Sequence, residues 1–117
     1  KACRIINIKL GRVGGFAEAI KVHDVCQNNG IPVWSGGMLE AGVGRAHNIA
    51  MATLANFTLP GDISASNRYY VEDIAEPAFT LNPDSTLSVP ADPGLGVTVN
   101  MQALKKYTLQ EEVFGHG

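Results

Sequence analysis

The sequence has little of what nucleic-acid-binding and membrane-spanning proteins require. Its 117 residues include 9 basic and 11 acidic side chains, which gives a formal net charge of -2. A chain without a basic excess lacks the electrostatic footprint of a nucleic-acid or anionic-membrane binder, so neither is an expected partner. No apolar run in the sequence approaches the ~18 residues that would span a bilayer.

Cysteine is scarce as well. Cys3 and Cys26 are the two in the chain, and neither belongs to a CxxC motif or a Cys/His cluster. We expect two free, buried thiols, which are typical of a cytosolic protein, and hence a cytoplasmic location. The phosphate-binding patterns GxGxxG and GxxxxGK(S/T) are also absent. A small flavodoxin-like domain that binds phosphate through its glycine loops is therefore only a weak alternative.

What the sequence does contain is a strand-loop-helix pattern that occurs three times, at a spacing of about 26 residues typical of consecutive βα units. Strands are predicted at 4–9, 31–35 and 56–59, and helices at 15–29 and 42–54. Right-handed βα repeats build either an open doubly wound sheet or a closed barrel, and the pattern alone does not choose between them.

The sequence changes character after Asp62, where prolines and turn residues become frequent. Short apolar pieces at 69–71, 78–81 and 86–89 are predicted to form short antiparallel strands or extended segments. Asn100 is expected to cap a brief helix over 101–106. We therefore divide the chain into 1–62, which holds the βα units, and 63–117, an extension that packs on them.

Three βα units are too few for a complete fold of either kind. A closed barrel of this type needs eight strands and typically ~250 residues. An open sheet of three parallel strands would leave two bare apolar edges. The chain also begins with Lys1 and enters a predicted core strand almost at once. We therefore expect it to be the carboxyl-terminal portion of something larger.

Lys9 stands where the first strand ends and a glycine-containing loop begins. Strand alternation puts Ile5, Asn7 and Lys9 on one face, and Ile6 and Ile8 on the other. A lysine at the end of a core strand is costly to desolvate, and carboxyl strand ends are common sites for chemistry in α/β folds. The alternative is a lysine that simply points into solvent from the strand tip.

Two further strand ends are predicted to meet Lys9 at the same edge. The second strand ends at Gly36 and Gly37, whose missing side chains let a ligand approach the backbone closely. The third strand ends with Pro60, Gly61 and Asp62. Because the carboxyl ends of parallel strands lie on one rim, these three segments converge on one mouth.

The motifs around these strand ends resemble those of one family. They are INIKLGRVGG at 6–15, VWSGGMLE at 33–40, GRAHN at 44–48, LPGDISAS at 59–66 and PGLGV at 93–97. Together they resemble the o-succinylbenzoate synthase and N-succinylamino acid racemase family, in the muconate-lactonizing subgroup of the enolase superfamily. The resemblance runs from about residue 5 to residue 107, and the motifs agree in order and spacing.

The resemblance implies the carboxyl-terminal part of an enolase-type modified TIM barrel, with the three βα units as strands six to eight. It implies that 63–117 returns to a capping domain, and that the partners are the rest of the same enzyme and further copies in a homo-oligomer. It also implies Mg²⁺ and a small carboxylate substrate that loses the proton α to the carboxylate. The outcome is dehydration to o-succinylbenzoate, racemisation of N-succinyl or N-acyl amino acids, or both.

The resemblance also assigns roles to residues of this chain. Lys9 matches the sixth-strand lysine, which acts as acid or base on one face in racemisation and supports the enediolate in dehydration. The segments around the substrate contribute Ser35, Gly36, Gly37, Met38, Asp62 and Ile63. Structural alternatives are core filling for Met38, a strained turn for the glycines and turn capping for Asp62.

No metal ligand is assigned within the chain. The family's carboxylate ligands and its second lysine belong to earlier strands, and Glu40, Asp62 and Glu72 do not match them. His23 and His47 are expected to be structural, because no second ligand lies at a suitable spacing from either. A competing hypothesis is therefore that this chain, on its own, is a noncatalytic structural or assembly piece.

Overall fold

The computed structural model describes residues 2–115 and contains the first two βα units in the predicted order. Strand β1 is Ile6–Ile8, and it is followed by helices α1, Leu10–Val13, and α2, Phe16–Asn28; strand β2 is Val33–Ser35 and helix α3 is Gly42–Met51. After a 3-10 turn at Ser66–Arg68 come strands β3, Ala75–Glu76, and β4, Thr98–Val99, and helix α4, Met101–Tyr107.

Strands β1 and β2 pair in parallel, as the βα pattern predicts. The register aligns Ile6 with Val33, Asn7 with Trp34, and Ile8 with Ser35. The third predicted strand is reduced to a single parallel bridge between Val33 and Phe57. Because Val33 already pairs with β1 on one edge, this bridge places Phe57 on the other edge of β2. The spatial order therefore follows the chain order, as in a barrel wound one strand at a time.

The core lies between β1, β2 and the helices. Ile8 and Val33 are fully buried and form one cluster with Ala19, Cys26 and Met51. The predicted end of α2 is confirmed, since Asn29 and Gly30 close it with backbone bonds to the last turn. Both cysteines are free; Cys26 is buried and Cys3 is half-buried.

The loop predicted after Lys9 is partly helical, which corrects the sequence-based expectation. The Lys9 carbonyl accepts hydrogen bonds from the N–H groups of Arg12, at 2.9 Å, and Val13, at 3.2 Å. The turn ends at Gly14, whose φ of 92° lies in the left-handed region that favours glycine. The short helix α1 therefore begins directly after Lys9 and fixes the backbone from which its side chain projects.

The antiparallel strands of the extension lie outside the apolar pieces that the sequence marks. The segments at 69–71, 78–81 and 86–89 are extended or irregular, and the antiparallel pair instead joins Ala75–Glu76 to Thr98–Val99. Local side-chain bonds replace strand pairing, as where Asn82 donates to Thr86 at 2.9 Å and to Ser88 at 3.2 Å.

The cap predicted for the last helix is confirmed. The Asn100 side-chain oxygen accepts hydrogen bonds from the N–H groups of Gln102, at 3.0 Å, and Ala103, at 2.9 Å. These bonds satisfy two of the donors that the first turn of a helix leaves free. The Asn100 N–H donates to the Ile74 carbonyl at 2.8 Å, so the same residue joins α4 to the rest of the extension.

Both described histidines have contacts inside the fold. Buried His23 accepts the Asn56 N–H at Nε2, 3.1 Å, which leaves its proton on Nδ1 for Asp24 at 2.8 Å. His47 Nδ1 lies 3.0 Å from the Val43 carbonyl. In the part of the chain that the structure describes, no helix has the length and apolar character needed to cross a bilayer.

A buried ion pair connects α3 to the extension. Arg45 Nη1 lies 3.4 Å from Asp73 Oδ2, and both side chains are 1% exposed. The same Asp73 carboxylate accepts the Gly42 N–H at 2.7 Å, and Arg45 also donates to the Ser66 hydroxyl at 3.3 Å. Burial raises the pKa of Asp73, but hydrogen bonds from Ser66, Gly42 and Ala75 and the charge of Arg45 outweigh it, so the pKa lies below its ordinary value.

We predict that Asp73→Ala lowers the free energy of unfolding by about 3–5 kcal/mol, because it leaves the Arg45 charge buried without a partner. The measurement is denaturant unfolding, with Asp92→Ala as a control on an exposed aspartate of the extension. Because the fold lowers the pKa of Asp73, the ionised Asp73 carboxylate stabilises the folded state. This contribution is fully present above the pKa of the residue in the unfolded chain, about 3.9. That contribution is lost as the pH falls through the lower folded pKa. If Asp73→Ala lowers the free energy of unfolding by less than about 1 kcal/mol, a structural role for the Arg45–Asp73 pair is contradicted.

Candidate functional site

The Lys9 side chain reaches from the end of β1 to the end of β2. Its ammonium group donates a hydrogen bond of 2.7 Å to the Gly37 carbonyl, and the residue is half-buried. Lys9 is therefore held at the rim formed by the two strand ends rather than extended away from it. This bond joins the first two of the three segments expected to form the mouth.

Gly36 makes room for Lys9. Its N–H continues the parallel ladder by donating to the Ile8 carbonyl at 3.1 Å, which sets Gly36 beside Lys9. A Cβ atom at Gly36 would lie 2.6 Å from Lys9 Nζ and would overlap the side-chain amide of Asn7. Any side chain at Gly36 would therefore displace the ammonium, the amide, or both.

The third predicted segment joins the other two through Gly37. The Asp62 carboxylate accepts a hydrogen bond from the Gly37 N–H, and the Asp62 N–H donates to the Ser35 carbonyl at 3.1 Å. A Cβ atom at Gly37 would lie 2.7 Å from the Asp62 carbonyl oxygen. The close approach of these two backbones requires glycine, and it places Lys9, Gly37 and Asp62 in one continuous set of contacts.

The loop after the glycine pair is fixed by Glu40. Its carboxylate accepts the Met38 N–H at 2.8 Å and the Asn48 side-chain amide at 2.9 Å. Burial raises the pKa of Glu40, but these bonds and the charge of Arg45 outweigh it, so the pKa is lowered. The Met38 side chain remains 42% exposed at the loop, which makes it available for contact with a ligand.

A cavity of about 720 Å³ opens beside this loop, between the start of α2 and α3. Its walls are mainly apolar and include Leu10, Phe16, Met38 and Leu39. Lys9 does not line it, so the cavity lies next to the strand-end site rather than at the ammonium group.

Two residues predicted to surround the substrate point elsewhere. Ser35 aligns with Ile8 and shares its helix-facing side; it is 2% exposed, and its hydroxyl has no hydrogen-bond partner within residues 2–115. The Ile63 side chain packs against the core cluster that contains Ile49 and Phe79. Only the backbone of these two positions approaches the rim; for Ser35 this follows because alternate residues of a strand face opposite sides.

Asn7 is the residue at the rim that the sequence analysis did not nominate. Its side-chain amide lies beside Lys9 Nζ on the same face of β1, within reach of the space left by Gly36. The signal was present, because strand alternation already placed Asn7 with Lys9.

Across residues 2–115, no group of three or more His, Cys, Asp or Glu side chains is placed to hold a metal ion. The acidic side chains nearest the rim, Asp62 and Glu40, are committed to backbone or amide donors. The arrangement instead offers the Lys9 ammonium group beside the backbone of Gly36 and Gly37. Such a group suits proton transfer or charge stabilisation next to a bound anion.

Comparison with known proteins identifies related chains. A family profile described as enolase C-terminal domain-like matches residues 1–103. The chain is 58% identical over 111 residues to an o-succinylbenzoate synthase from Listeria innocua, covering 95% of this chain and 29% of that protein. It is also 58% identical over 107 residues to an N-succinylamino acid racemase from Amycolatopsis sp., covering 92% and 28% respectively.

A solved structure agrees with these relatives. A member of the enolase superfamily from Listeria innocua superposes with a TM-score of 0.88 at 58% identity, covering 93% of this chain and 29% of that one. The chain thus spans less than a third of the length of the relatives that it matches. The prediction of a carboxyl-terminal barrel portion of the enolase type is confirmed, and the chain belongs to the enolase C-terminal domain-like family.

Proposed function

We propose that this chain provides strands six to eight of a Mg²⁺-dependent enzyme that removes the proton α to a carboxylate. The reaction is dehydration to o-succinylbenzoate, racemisation of N-succinyl or N-acyl amino acids, or both. The observation that carries the proposal is the Lys9 ammonium group held 2.7 Å from the Gly37 carbonyl at the rim of the paired strands. The synthase and racemase names of the most similar relatives support the two outcomes.

In racemisation, Lys9 is proposed to exchange a proton with the α-carbon from one face of the substrate. As a neutral amine it takes the proton, and the electrons of the C–H bond move into the carboxylate; as an ammonium group it returns a proton to that carbon. In dehydration, its positive charge is proposed to stabilise the enediolate. The Mg²⁺ that the resemblance implies finds no set of ligands within residues 2–115, so no step here is assigned to it.

The rim is proposed to bind the carboxylate substrate mainly through its backbone. Gly36 and Gly37 leave room for close approach, and Met38 and Asp62 remain proposed substrate contacts. Ser35 and Ile63 are proposed to act by shaping the backbone, since their side chains face the hydrophobic core rather than the rim.

The wider organisation also remains a proposal. We divide the chain into barrel units at 1–62 and an extension at 63–117 that packs on the barrel and a capping domain. The remainder of the same enzyme would supply the metal ligands and the second base. A homo-oligomer is the expected assembly, which the resemblance alone supports, and the cytoplasm is the expected location, which rests on the free thiols.

We predict that Lys9→Ala in the complete enzyme lowers racemase turnover by on the order of 10²-fold or more, the usual contribution of a general acid or base. Synthase turnover is expected to fall as well. The matched control is Lys21→Ala, an exposed lysine of α2 that pairs with Glu18. Undiminished turnover of both substrates would remove Lys9 from the mechanism.

We predict that Gly36→Ala lowers kcat on the order of 10²-fold, the effect of misplacing a reacting group by about 1 Å. The new Cβ atom would occupy the space of Lys9 Nζ and the Asn7 amide. Gly11→Ala is the control, because a Cβ atom there meets nothing within 4 Å. Steady-state kinetics and a crystal structure of each variant provide the measurements, and an unmoved Lys9 with normal kcat would contradict the steric argument.

A second candidate is that the chain alone is a noncatalytic structural piece, which the missing metal-ligand group among the described residues favours. We predict that the purified 117-residue chain shows no turnover of either substrate with or without Mg²⁺. The measurement is a direct assay at high protein concentration, with a complete relative as the positive control. Magnesium-dependent turnover by the isolated chain would show that it holds a full active site.

A further inference from the structure

We infer that Asp62 is a positioning residue for Lys9 and acts through Gly37. The Asp62 carboxylate accepts the Gly37 N–H, while the Gly37 carbonyl accepts the Lys9 ammonium group at 2.7 Å. One glycine thus connects the end of the third segment to the lysine at the end of β1. The inference rests on the proposed function, in which Lys9 transfers the proton.

The need for such a residue follows from the backbone of Gly37. Glycine has the widest range of allowed dihedral angles, so a glycine carbonyl is a poorly fixed acceptor unless something restrains the residue. The Gly37 N–H and carbonyl belong to the two peptide units on either side of its Cα atom. The bond to Asp62 fixes the first of these units, while Glu40 holds the second through the Met38 N–H at 2.8 Å, and both restraints are needed to keep the carbonyl directed at Lys9.

Asp62 is itself held in place by backbone contacts. Its N–H donates to the Ser35 carbonyl at 3.1 Å, and a Cβ atom at Gly61 would lie 3.0 Å from that same oxygen. The carboxylate therefore projects from a segment already joined to β2. A hydrogen bond from an N–H to an ionised carboxylate is about twice as strong as a neutral one, which suits Asp62 to the restraint.

The influence of Asp62 on Lys9 is transmitted by the peptide rather than by direct pairing. Among the ion pairs of residues 2–115, none joins Asp62 to Lys9. A substituent that keeps an acceptor oxygen should therefore preserve the position of Lys9, and one that removes the acceptor should release it. The two kinds of substitution therefore distinguish a positioning role of Asp62 from direct binding of substrate by its charge.

The test compares Asp62→Ala with Asp62→Asn in the complete enzyme. Asp62→Ala removes the acceptor, and we expect kcat to fall roughly tenfold to a hundredfold, more than KM changes through the lost substrate contact. Asp62→Asn keeps an oxygen that can accept the Gly37 N–H, so kcat is expected to stay within about threefold of the parent. Asp92→Ala, at an exposed aspartate of the extension, is the matched control. Asp62→Val, whose side chain also has no acceptor, replaces Asp62→Ala if the latter fails to fold.

A crystal structure of each variant provides a readout independent of turnover. The inference expects the distance between Lys9 Nζ and the Gly37 carbonyl to lengthen in Asp62→Ala and to persist in Asp62→Asn. An unmoved Lys9 in Asp62→Ala would overturn it. So would a rise in KM with normal kcat in both variants, which would make Asp62 a substrate ligand and leave the proposed function standing. If the parent enzyme turns over neither substrate, the proposed function fails while the two distances still decide the positioning role.

Discussion

The parallel pairing of β1 with β2 in one register determines what can happen at the rim. Ile8 aligns with Ser35, and the ladder continues through the bond from Gly36 to the Ile8 carbonyl. Lys9 is therefore beside Gly36, which has no side chain to obstruct it. A slip of one residue would turn Lys9 toward the helices and bring an apolar side chain to the rim.

The extension stabilises this rim from outside the paired strands. Arg45 and Asp73 hold it against α3, and the Tyr70 hydroxyl donates to the Leu39 carbonyl in the loop after the glycine pair. Two residues thus fix that loop: Glu40, which belongs to it, and Tyr70, which belongs to the extension. Charge buried far from Lys9 contributes to the site indirectly, by keeping the loop that carries Gly37 and Met38 in one conformation.

Local pattern was sufficient to predict the first two βα units and the place of Lys9 at the end of a strand, because helix and strand periods and strand-end glycines are properties of neighbouring residues. It could not predict that Ser35 faces the helices, since that depends on its alignment with Ile8. It also could not identify Asp73 as the partner of Arg45, which lies 28 residues away along the chain. The short helix α1 was missed because its bonds converge on the carbonyl of Lys9, a residue assigned to the strand.

The hydrogen bond from Gly37 limits what the Asp62 carboxylate can offer to a molecule bound at this rim. With one carboxylate oxygen engaged by the Gly37 N–H, the other oxygen is the freer acceptor for a ligand. The side chains of Ser35 and Ile63 face the core, so within residues 2–115 the further side chains proposed to meet a substrate here are the amide of Asn7 and the exposed thioether of Met38. An amide and a flexible apolar chain discriminate weakly between acyl groups of similar size, because neither imposes a charge or a rigid shape. On the proposed function, a rim built in this way would accept more than one carboxylate substrate, provided that each presents its α-carbon to Lys9.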